Sequence, residues 1–386
     1  MAMAGDPADE DSAGVDVAAE APDLGVDSVG LAVCGASGMP PLDSIDEMPP
    51  RDRWRLVRKI GEGAFGEVHV ADDALSGERV AVKLARLVGV PGCERDDGNS
   101  LPKGVLRELW SLQRLVGAAH VSQYIFHFPR GSSLALVLAF CDSDLRAVLD
   151  ALEGAPLTEG AASAWLGELL CGLKRIHAEG LMHRDLKPGN LLIEAHGALQ
   201  ICDFGQARPL DLDAEKAEYT HQVSTRAYRA PEILFGARKY TERVDAWAAG
   251  CVFCEMLENT QTFPANSDIE QLISIFKKMG APSQERWPSA HELPDFCKIQ
   301  FPDMPPVPLG TVSPHASPLA LGLLGRLLVL EPARRCSASD ALADAFFVTG
   351  PARAPASELA ALVRRAVEHA AKTPQAWQRC QDSDSW

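Results

Sequence analysis

The pattern of apolar residues changes from strand-like to helix-like along the chain, and this change constrains the fold most strongly. Alternating apolar residues predict strands in RWRLVRKI, EVHVADD and RVAVKLA, and ALVLAF predicts a further short strand. From about Ser143 onward, segments such as AASAWLGELLCGLKRIHA and ALGLLGRLLVL have helical spacing instead. Strands followed by helices predict an α+β protein of two lobes, with a ligand cleft between them.

Residues 1–50 differ from the rest of the chain in composition. They contain eleven Asp or Glu and no Lys or Arg, so they supply −11 of the net charge of −16. A segment that is rich in Ala, Asp, Gly and Pro and poor in aromatics cannot offset the entropy of ordering. We therefore expect a disordered acidic tail over 1–50.

Charge and cysteine content exclude several classes of protein. The sequence contains no cluster of Lys and Arg, so we expect no nucleic-acid partner. No apolar run reaches about 18 residues and no signal peptide is evident, so we expect no membrane association. Ten scattered cysteines suit reduced thiols inside the cell, in the cytoplasm or nucleus. The pair Cys251 and Cys254 lies in an apolar helical stretch, which predicts buried core thiols rather than metal ligands.

A glycine-rich loop, IGEGAFGEV, lies between two predicted strands. Glycines allow a backbone to approach a phosphate chain closely, although a tight hairpin without a ligand would have the same pattern. Lys83 on the next strand could hold phosphates beneath this loop, and Glu108 on the following helix could orient it. The candidate nucleotide-binding residues of the loop are Ile60, Gly61, Glu62, Gly63, Ala64, Phe65, Gly66, Glu67 and Val68.

The most specific signal is HRDLKPGN followed by DFG. Asp185 is the candidate catalytic base, because a carboxylate beside a hydroxyl nucleophile can accept its proton. Asn190 and Asp203 supply the hard oxygen ligands that Mg²⁺ prefers, and Lys187 can neutralise charge on a transferred phosphoryl group. Four such roles within about twenty residues are most unusual by chance.

The order of these motifs, closed by APE at 230–232, resembles that of the eukaryotic protein kinases. The resemblance extends from Trp54 to about Phe347 and implies a two-lobed enzyme that uses ATP and Mg²⁺ to phosphorylate Ser or Thr in proteins. It also implies that Leu138 is the gatekeeper and that Ala139 to Cys141 form the hinge that binds adenine.

Within the kinases, PKGVLRE and YTHQVSTRAYRAPEILFGARKYTERVDAWAAGC resemble segments of the cyclin-dependent kinases. Stretches such as FPRGSSLALVLAFCDSDL and ELPDFCKIQF resemble the cell cycle-related kinase branch of that family, which implies a role in the cell cycle or at the cilium. Two alternatives stay open. One is the branch of cyclin-dependent kinase 7, whose members activate other kinases of the family, and the other is a pseudokinase scaffold. The scaffold is disfavoured because the lysine, base and metal residues are all present.

The resemblance also assigns regulatory residues. Thr220 matches the activating phosphothreonine, and three arginines match the cradle for its phosphate: Arg107, Arg184 and Arg208. Thr225 matches the threonine that bonds the catalytic Asp and Lys. The positions of Ser224 and Arg229 imply substrates with proline after the acceptor, although Ala227 replaces a usual Trp. A cyclin-like activator is implied as a partner, and so is an upstream activating kinase, because Thr220 is not followed by proline.

These assignments divide the chain into the tail at 1–50, a kinase domain at 51–348 and a C-terminal tail at 349–386. The N-lobe covers 51–141 and the C-lobe 142–348. In the C-terminal tail, SELAALVRRAVEHAAK predicts a short helix, either docked on the large lobe or forming an interface. The resemblance further implies two structural contacts: a buried pair of Glu232 with Arg335, and a bond from Asp245 to the backbone of the catalytic loop.

Overall fold

A computed structural model describes residues 48–63, 66–86, 102–210 and 226–372. Most of the predicted acidic tail therefore lies outside the described residues. Five assigned or implied site residues also lie outside them: Ala64, Phe65, Thr220, Ser224 and Thr225.

The N-lobe is a five-stranded antiparallel sheet with the strand order β1-β2-β3-β5-β4 and one long helix, α2. Its first part comprises α1 Pro50–Arg53, β1 Trp54–Gly63, β2 Gly66–Asp73 and β3 Arg79–Arg86. Its second part comprises α2 Lys103–Arg114, β4 Tyr124–Arg130 and β5 Ser133–Ala139. The three strands predicted from alternation, and the short strand predicted from ALVLAF, are confirmed as β1, β2, β3 and β5.

Strand β4 was missed by the sequence pattern. Its sequence, YIFHFPR, contains Pro129 and the polar residues His127 and Arg130, which obscure the alternation. A proline is tolerated there because β4 is an edge strand of the sheet, where one row of backbone donors has no neighbouring strand to bond.

The start of the domain is anchored by a buried ion pair. Arg53 in α1 donates to both carboxylate oxygens of Asp73 at the end of β2, with Nη2 2.9 Å from Oδ2. The Trp54 ring packs on Phe126 and Phe128, with centroid distances of 5.3 and 5.6 Å. These contacts tie α1 and the start of β1 to the sheet of the N-lobe.

The described part of the C-lobe is mainly helical. Its first half contains β6 Ser143–Asp144, α3 Leu145–Ala151, α4 Glu159–Ala178, β7 Leu181–Met182, β8 Leu191–Ile193, β9 Leu199–Ile201 and β10 Arg208–Pro209. Its second half contains α5 Pro231–Leu234, α6 Arg243–Glu258, α7 Asp268–Met279, α8 Leu309–Val312, α9 Pro318–Leu327, α10 Ala338–Leu342, α11 Ala345–Val348 and α12 Ala356–Lys372. The predicted two-lobed α+β fold is confirmed.

Helices α4 and α6 form the centre of this lobe, and hydroxyl residues begin several of its helices. Thr158 caps α4 by accepting from Ala161 N–H, and Ser267 caps α7 in the same way. Helix α6 is buried on nearly all sides, and Cys251 and Cys254 lie within it as buried free thiols, as predicted. In the part of the chain that the structure describes, no helix is both long and apolar enough to cross a membrane.

The predicted C-terminal helix is present as α12, which packs against α3 and β6. Leu359 and Val363 are buried in the main core, and Leu362 packs partly against it. Glu358 accepts a hydrogen bond from Thr158 Oγ1 at 3.0 Å, which ties the helix to the start of α4. Of the two alternatives, docking on the large lobe is therefore the arrangement that the structure adopts.

Candidate active site

The glycine-rich sequence forms the hairpin between β1 and β2, as its position between two strands predicted. Gly61 pairs with Val68, and Gly63 pairs with Gly66 at the end of the described ladder. A side chain cannot be added at Gly66, because its Cβ would lie 1.9 Å from the carbonyl oxygen of Leu84 on β3. This glycine therefore lets the hairpin lie directly on the strand that carries Lys83.

Lys83, Glu108 and Asp203 meet in the cleft between the lobes. Lys83 Nζ lies 2.6 and 2.8 Å from the two carboxylate oxygens of Glu108, and 3.3 Å from Asp203 Oδ1. The Glu108 side chain is 4% exposed, whereas that of Asp203 is 40% exposed and faces the cleft. The structure thus brings together three predicted residues from β3, α2 and the DFG sequence.

The charges of this group depend on one another. Burial opposes the charge on Lys83, but the carboxylates of Asp203 and Glu108 outweigh it and raise the pKa of Lys83. The charge of Lys83 in turn lowers the pKa of Asp203, against the effect of burial, and His183 and Lys187 act in the same direction. The lysine is therefore a cation and Asp203 an anion at neutral pH.

The DFG sequence forms a tight turn under α2. Asp203 has a left-handed backbone with φ of 63°, which is unusual for a residue other than glycine. Phe204 is fully buried and contacts the His183 ring edge-on, at a centroid distance of 5.0 Å. Helix α2 packs on the turn from Phe204 to Gln206. This packing fixes Asp203 in the position from which it reaches Lys83.

Asp185 lies in the catalytic loop, HRDLKPGN at 183–190, and is held by hydrogen bonds to its neighbours in that loop. Asn190 Nδ2 donates to the backbone oxygen of Asp185 at 2.7 Å and to its Oδ2 at 3.1 Å. His183 accepts from Asp185 N–H through Nδ1 and donates from Nε2 to the carbonyl of Cys202 at 2.9 Å. Asp185 is 8% exposed. Its carboxylate is thus oriented by hydrogen bonds to the loop itself and, through His183, to the residue before Asp203.

Asp245 on α6 supports this loop from below, as implied by the resemblance. Its Oδ2 accepts from His183 N–H at 2.9 Å and its Oδ1 from Arg184 N–H at 2.7 Å. His177 Nε2 contacts the same carboxylate at 2.9 Å, a contact that sequence reasoning missed. Arg184 has a left-handed backbone with φ of 67°, so the bonds to Asp245 hold the loop in a strained conformation.

The donor set near Asp203 fits a divalent cation bound together with phosphate oxygens. The amide nitrogen of Asn190 is used by Asp185, so the amide oxygen of Asn190 is the group that would join the Asp203 carboxylate in holding a cation. Within the described ranges, no group of three or more His, Cys, Asp and Glu side chains could hold a metal by itself. Magnesium characteristically binds to one or two protein carboxylates, water and substrate phosphates rather than to a complete protein cage.

The three predicted arginines form one cluster of like charge. Partial burial, and then the guanidinium groups of Arg208 and Arg184, lower the pKa of Arg107. Arg184 donates to the Gln206 carbonyl at 2.8 Å and to the Tyr240 hydroxyl at 2.7 Å, the latter a contact that the sequence did not indicate. Among the described residues, Nη2 of Arg184 and Nε of Arg208 are buried and have no hydrogen-bond partner. Three clustered cations with buried free donors form a site suited to a dianion.

The hinge is held at both ends. Ala139 is the last residue of β5 and its N–H donates to the Gln123 carbonyl at 2.9 Å. The Asp142 N–H donates to the Ile193 carbonyl at 3.1 Å. Cys141 lies between these anchors, half-buried, and burial raises the pKa of its thiol to about 12. The predicted adenine-binding stretch is thus a short connection between the lobes.

Below the cleft, Asp268 at the start of α7 bonds two arginines of the stretch 226–232, hereafter the APE segment. Its Oδ1 lies 3.0 Å from Arg226 Nε and 3.1 Å from Arg229 Nη1. Ala227, the residue that departs from the usual Trp, is buried, and its carbonyl accepts from Gln271 Nε2 at 3.3 Å. The role of Asp268 was not found from the sequence, because it lies some 40 residues from either arginine.

Comparison with known proteins agrees with this geometry. The family model for the protein kinase domain matches residues 54–347. Cyclin-dependent kinase 20 of Mus musculus is 44% identical over 308 residues, covering 80% of this chain and 86% of that protein, and the Homo sapiens protein is 42% identical with the same coverage. Cyclin-dependent kinase D-1 of Arabidopsis thaliana is 38% identical, covering 78% of this chain and 72% of that protein. The predicted similarity to the cell cycle-related kinases, which are also called cyclin-dependent kinase 20, is thus confirmed, and the alternatives are not favoured. The chain belongs to the protein kinase family and is a serine/threonine kinase of the cyclin-dependent group.

Proposed function

We propose that this kinase transfers the γ-phosphate of Mg²⁺-bound ATP to Ser or Thr followed by proline, and that a phosphate on Thr220 activates it. Family membership provides the coarser statement, that the enzyme uses ATP, a divalent metal, protein substrates and a cyclin-type activator. The observation that carries the catalytic part of the proposal is Lys83 held between Glu108 and Asp203 in the cleft.

In this proposal each residue acts on a different part of the reaction. Lys83 binds the α and β phosphates, and Glu108 keeps its ammonium aimed into the cleft. Asp185 orients the substrate hydroxyl and accepts its proton. Lys187 offsets the charge of the transferred group. The bound metal supplies charge stabilisation for the phosphates, and Asn190 and Asp203 would be its protein ligands.

The proline preference is supported by the anchoring of the APE segment. Asp268 holds Arg229 in place, so the Arg229 guanidinium can bond the neighbouring backbone. That backbone is then turned away from the substrate and cannot accept a hydrogen bond from the residue after the acceptor. Proline is favoured at that substrate position because it has no backbone N–H to leave unbonded. Arg226 bonds the same Asp268 carboxylate. This bond can fix the segment in place of the packing that a Trp at position 227 usually provides.

A degenerate peptide library tests this preference. We expect kcat/KM for Ser-Pro peptides to exceed that for matched Ser-Ala peptides by about tenfold or more, the discrimination that a shaped pocket provides. Asp268→Asn should lower this selectivity for proline, and the surface variant Asp303→Asn should leave it unchanged. That result would show that the preference depends on the arginines that Asp268 holds. Equal rates on both peptides in the wild-type enzyme would exclude proline direction.

The exposed face of α2 is the proposed binding site for a cyclin-like activator. Leu106 is 37% exposed and Trp110 is 43% exposed, one helical turn apart, and the Arg114 guanidinium lies 5.6 Å from the Trp110 ring. A partner that covers these side chains would fix the position of α2, the helix that carries Glu108. Because Glu108 bonds Lys83, we propose that the partner activates the enzyme by placing Lys83 through α2.

Removal of the Thr220 phosphate should lower activity many-fold. A dianion among Arg107, Arg184 and Arg208 would join α2, the catalytic loop and the strand after DFG, with about 1.5–3 kcal/mol from each charge-assisted contact before the entropy of ordering is subtracted. The measurement compares wild type with Thr220→Ala, each before and after phosphatase treatment.

Only the untreated wild type should be fully active. Arg208→Met should make the activity less sensitive to phosphatase than that of the wild type, because two of the three cations remain to bind the phosphate. Equal activity of all four samples would contradict the switch. Rapid self-phosphorylation of the phosphatase-treated protein would contradict only the requirement for an upstream kinase.

We also propose that the protein acts inside the cell, in cytoplasm, nucleus or cilium, as a regulator of the cell cycle or of cilia. Support comes from the resemblance to the cell cycle-related kinases and from the free cysteines. Fluorescence microscopy of the tagged chain tests the location directly, and a signal confined to the cell exterior would contradict it.

A further inference from the structure

Two glutamates face each other across the glycine-rich hairpin. Glu62 on β1 is the direct partner of Glu67 on β2, one position before the pair formed by Gly63 and Gly66. Side chains at directly opposed positions are close, and two like charges placed there destabilise the pairing of the strands. The hairpin therefore has a built-in repulsion beside Gly63 and Gly66.

Two cations join these glutamates. Lys59 Nζ contacts Glu62 and lies 3.0 Å from Glu67 Oε1. Arg86 Nη2, from β3, lies 3.4 Å from Glu62 Oε1 and 3.7 Å from Glu67 Oε1. His69 Nε2 contacts the other oxygen of Glu67 at 3.1 Å. The hydrogen bonds from Lys59 lower the pKa of both glutamates. The group of Lys59, Glu62, Glu67 and Arg86, hereafter the hairpin ion cluster, spans three strands.

Exposure limits what each contact contributes to folding. Lys59 is 40% exposed and Arg86 is 55% exposed, and isolated ion pairs on a protein surface add little stability. The cluster differs from an isolated pair because the acids cannot separate while the strands stay paired. Without Lys59, one cation would remain for two opposed carboxylates, and the cluster would change from neutral to a net charge of −1.

We propose that Lys59, together with Arg86, is a positioning residue that keeps β1 and β2 paired beside Gly63 and Gly66 by neutralising Glu62 and Glu67. The inference rests on the proposed function, because it requires a nucleotide beneath the hairpin. It concerns nucleotide affinity rather than phosphoryl transfer, since the cluster lies outside the group of Lys83, Asp185 and Asp203.

The first test measures nucleotide binding. Lys59→Met should raise both the Kd and the KM for ATP by about two- to fivefold, the size expected of a cross-strand charge pair, and leave kcat unchanged. Lys59→Arg should behave as wild type. Lys59→Met combined with Glu67→Gln should bind ATP more tightly than Lys59→Met alone, because the repulsion is removed. Lys298→Met is the matched control, as this exposed lysine bonds Asp295 at 2.6 Å in the other lobe.

The second test is independent of ATP. Amide hydrogen exchange over residues 60–68 should be faster in Lys59→Met than in wild type without nucleotide, and should slow again in the double variant. The difference should shrink at about 1 M salt, where the screening length is about 3 Å. A wild-type protein that binds no ATP would defeat the proposed function, while the exchange rates would still decide the role of the cluster. Unchanged exchange and Kd in Lys59→Met, or a double variant as defective as the single one, would overturn the inference.

Discussion

Replacement of Asp185 by Asn is expected to lower kcat by about 10²–10⁴-fold, the contribution of a general base, with little effect on ATP binding. The amide is nearly the same size as the carboxylate but cannot accept the proton of the substrate hydroxyl. ATP binding should persist, because the group of Lys83, Glu108 and Asp203 is left intact. The measurement is steady-state phosphate transfer to a Ser-Pro peptide, with thermal unfolding to show that the fold is retained.

Two further variants make this result specific. Asp203→Asn should instead raise the metal concentration needed for activity, because it weakens a proposed metal ligand and removes a charge beside Lys83. Asp303→Asn, on the surface of the C-lobe, should leave kcat unchanged and serves as the matched control. Transfer at the wild-type rate by Asp185→Asn would show that another group acts as the base.

Replacement of Arg335 by Met is expected to lower the free energy of unfolding by about 3–5 kcal/mol. The Arg335 guanidinium donates to both carboxylate oxygens of Glu232, at 2.8 and 3.0 Å, and its side chain is fully buried. The variant would leave a buried carboxylate without a counter-ion. Urea unfolding can be followed by tryptophan fluorescence, because the fully buried ring of Trp247 becomes exposed to water when the protein unfolds.

A double-variant cycle separates loss of charge pairing from loss of packing. Glu232→Gln combined with Arg335→Met should be less destabilising than the sum of the single changes, because no charge remains buried. Arg364→Met on the exposed side of α12 should change stability by less than about 0.5 kcal/mol. A change of this small size in Arg335→Met would show that the ion pair does not hold the APE segment to the C-lobe.

Some of the fold was readable from the sequence because the signals are local. Alternation between Trp54 and Ala85 predicted three strands of the sheet, and helical spacing predicted α12, since both patterns follow from which side chains face the core. Strand β4 was missed because the alternation fails where an edge strand carries His127 and Pro129.

In the candidate site, too, the residues of a contiguous motif were predicted and the contacts between distant residues were not. Asp185, Lys187 and Asn190 lie within six residues, so their chemistry could be assigned from a contiguous motif. The hydrogen bonds from Arg184 to Tyr240, and from His177 to Asp245, could not be found, since nothing in the spacing of these residues indicates that they meet. Both contacts depend on how α4, α6 and the loop before α6 pack around the catalytic loop.

The sequence by itself determined the class of chemistry, because the order of its motifs is specific and each motif carries its reactive groups within a few residues. Only the tertiary structure decided which charges meet: Lys83 with Asp203 across 120 residues, Glu232 with Arg335 across 103, and Asp268 with Arg226 and Arg229. The physical reason is that a charge pair is stable only where packing sets its distance and burial, and packing depends on contacts between distant parts of the chain.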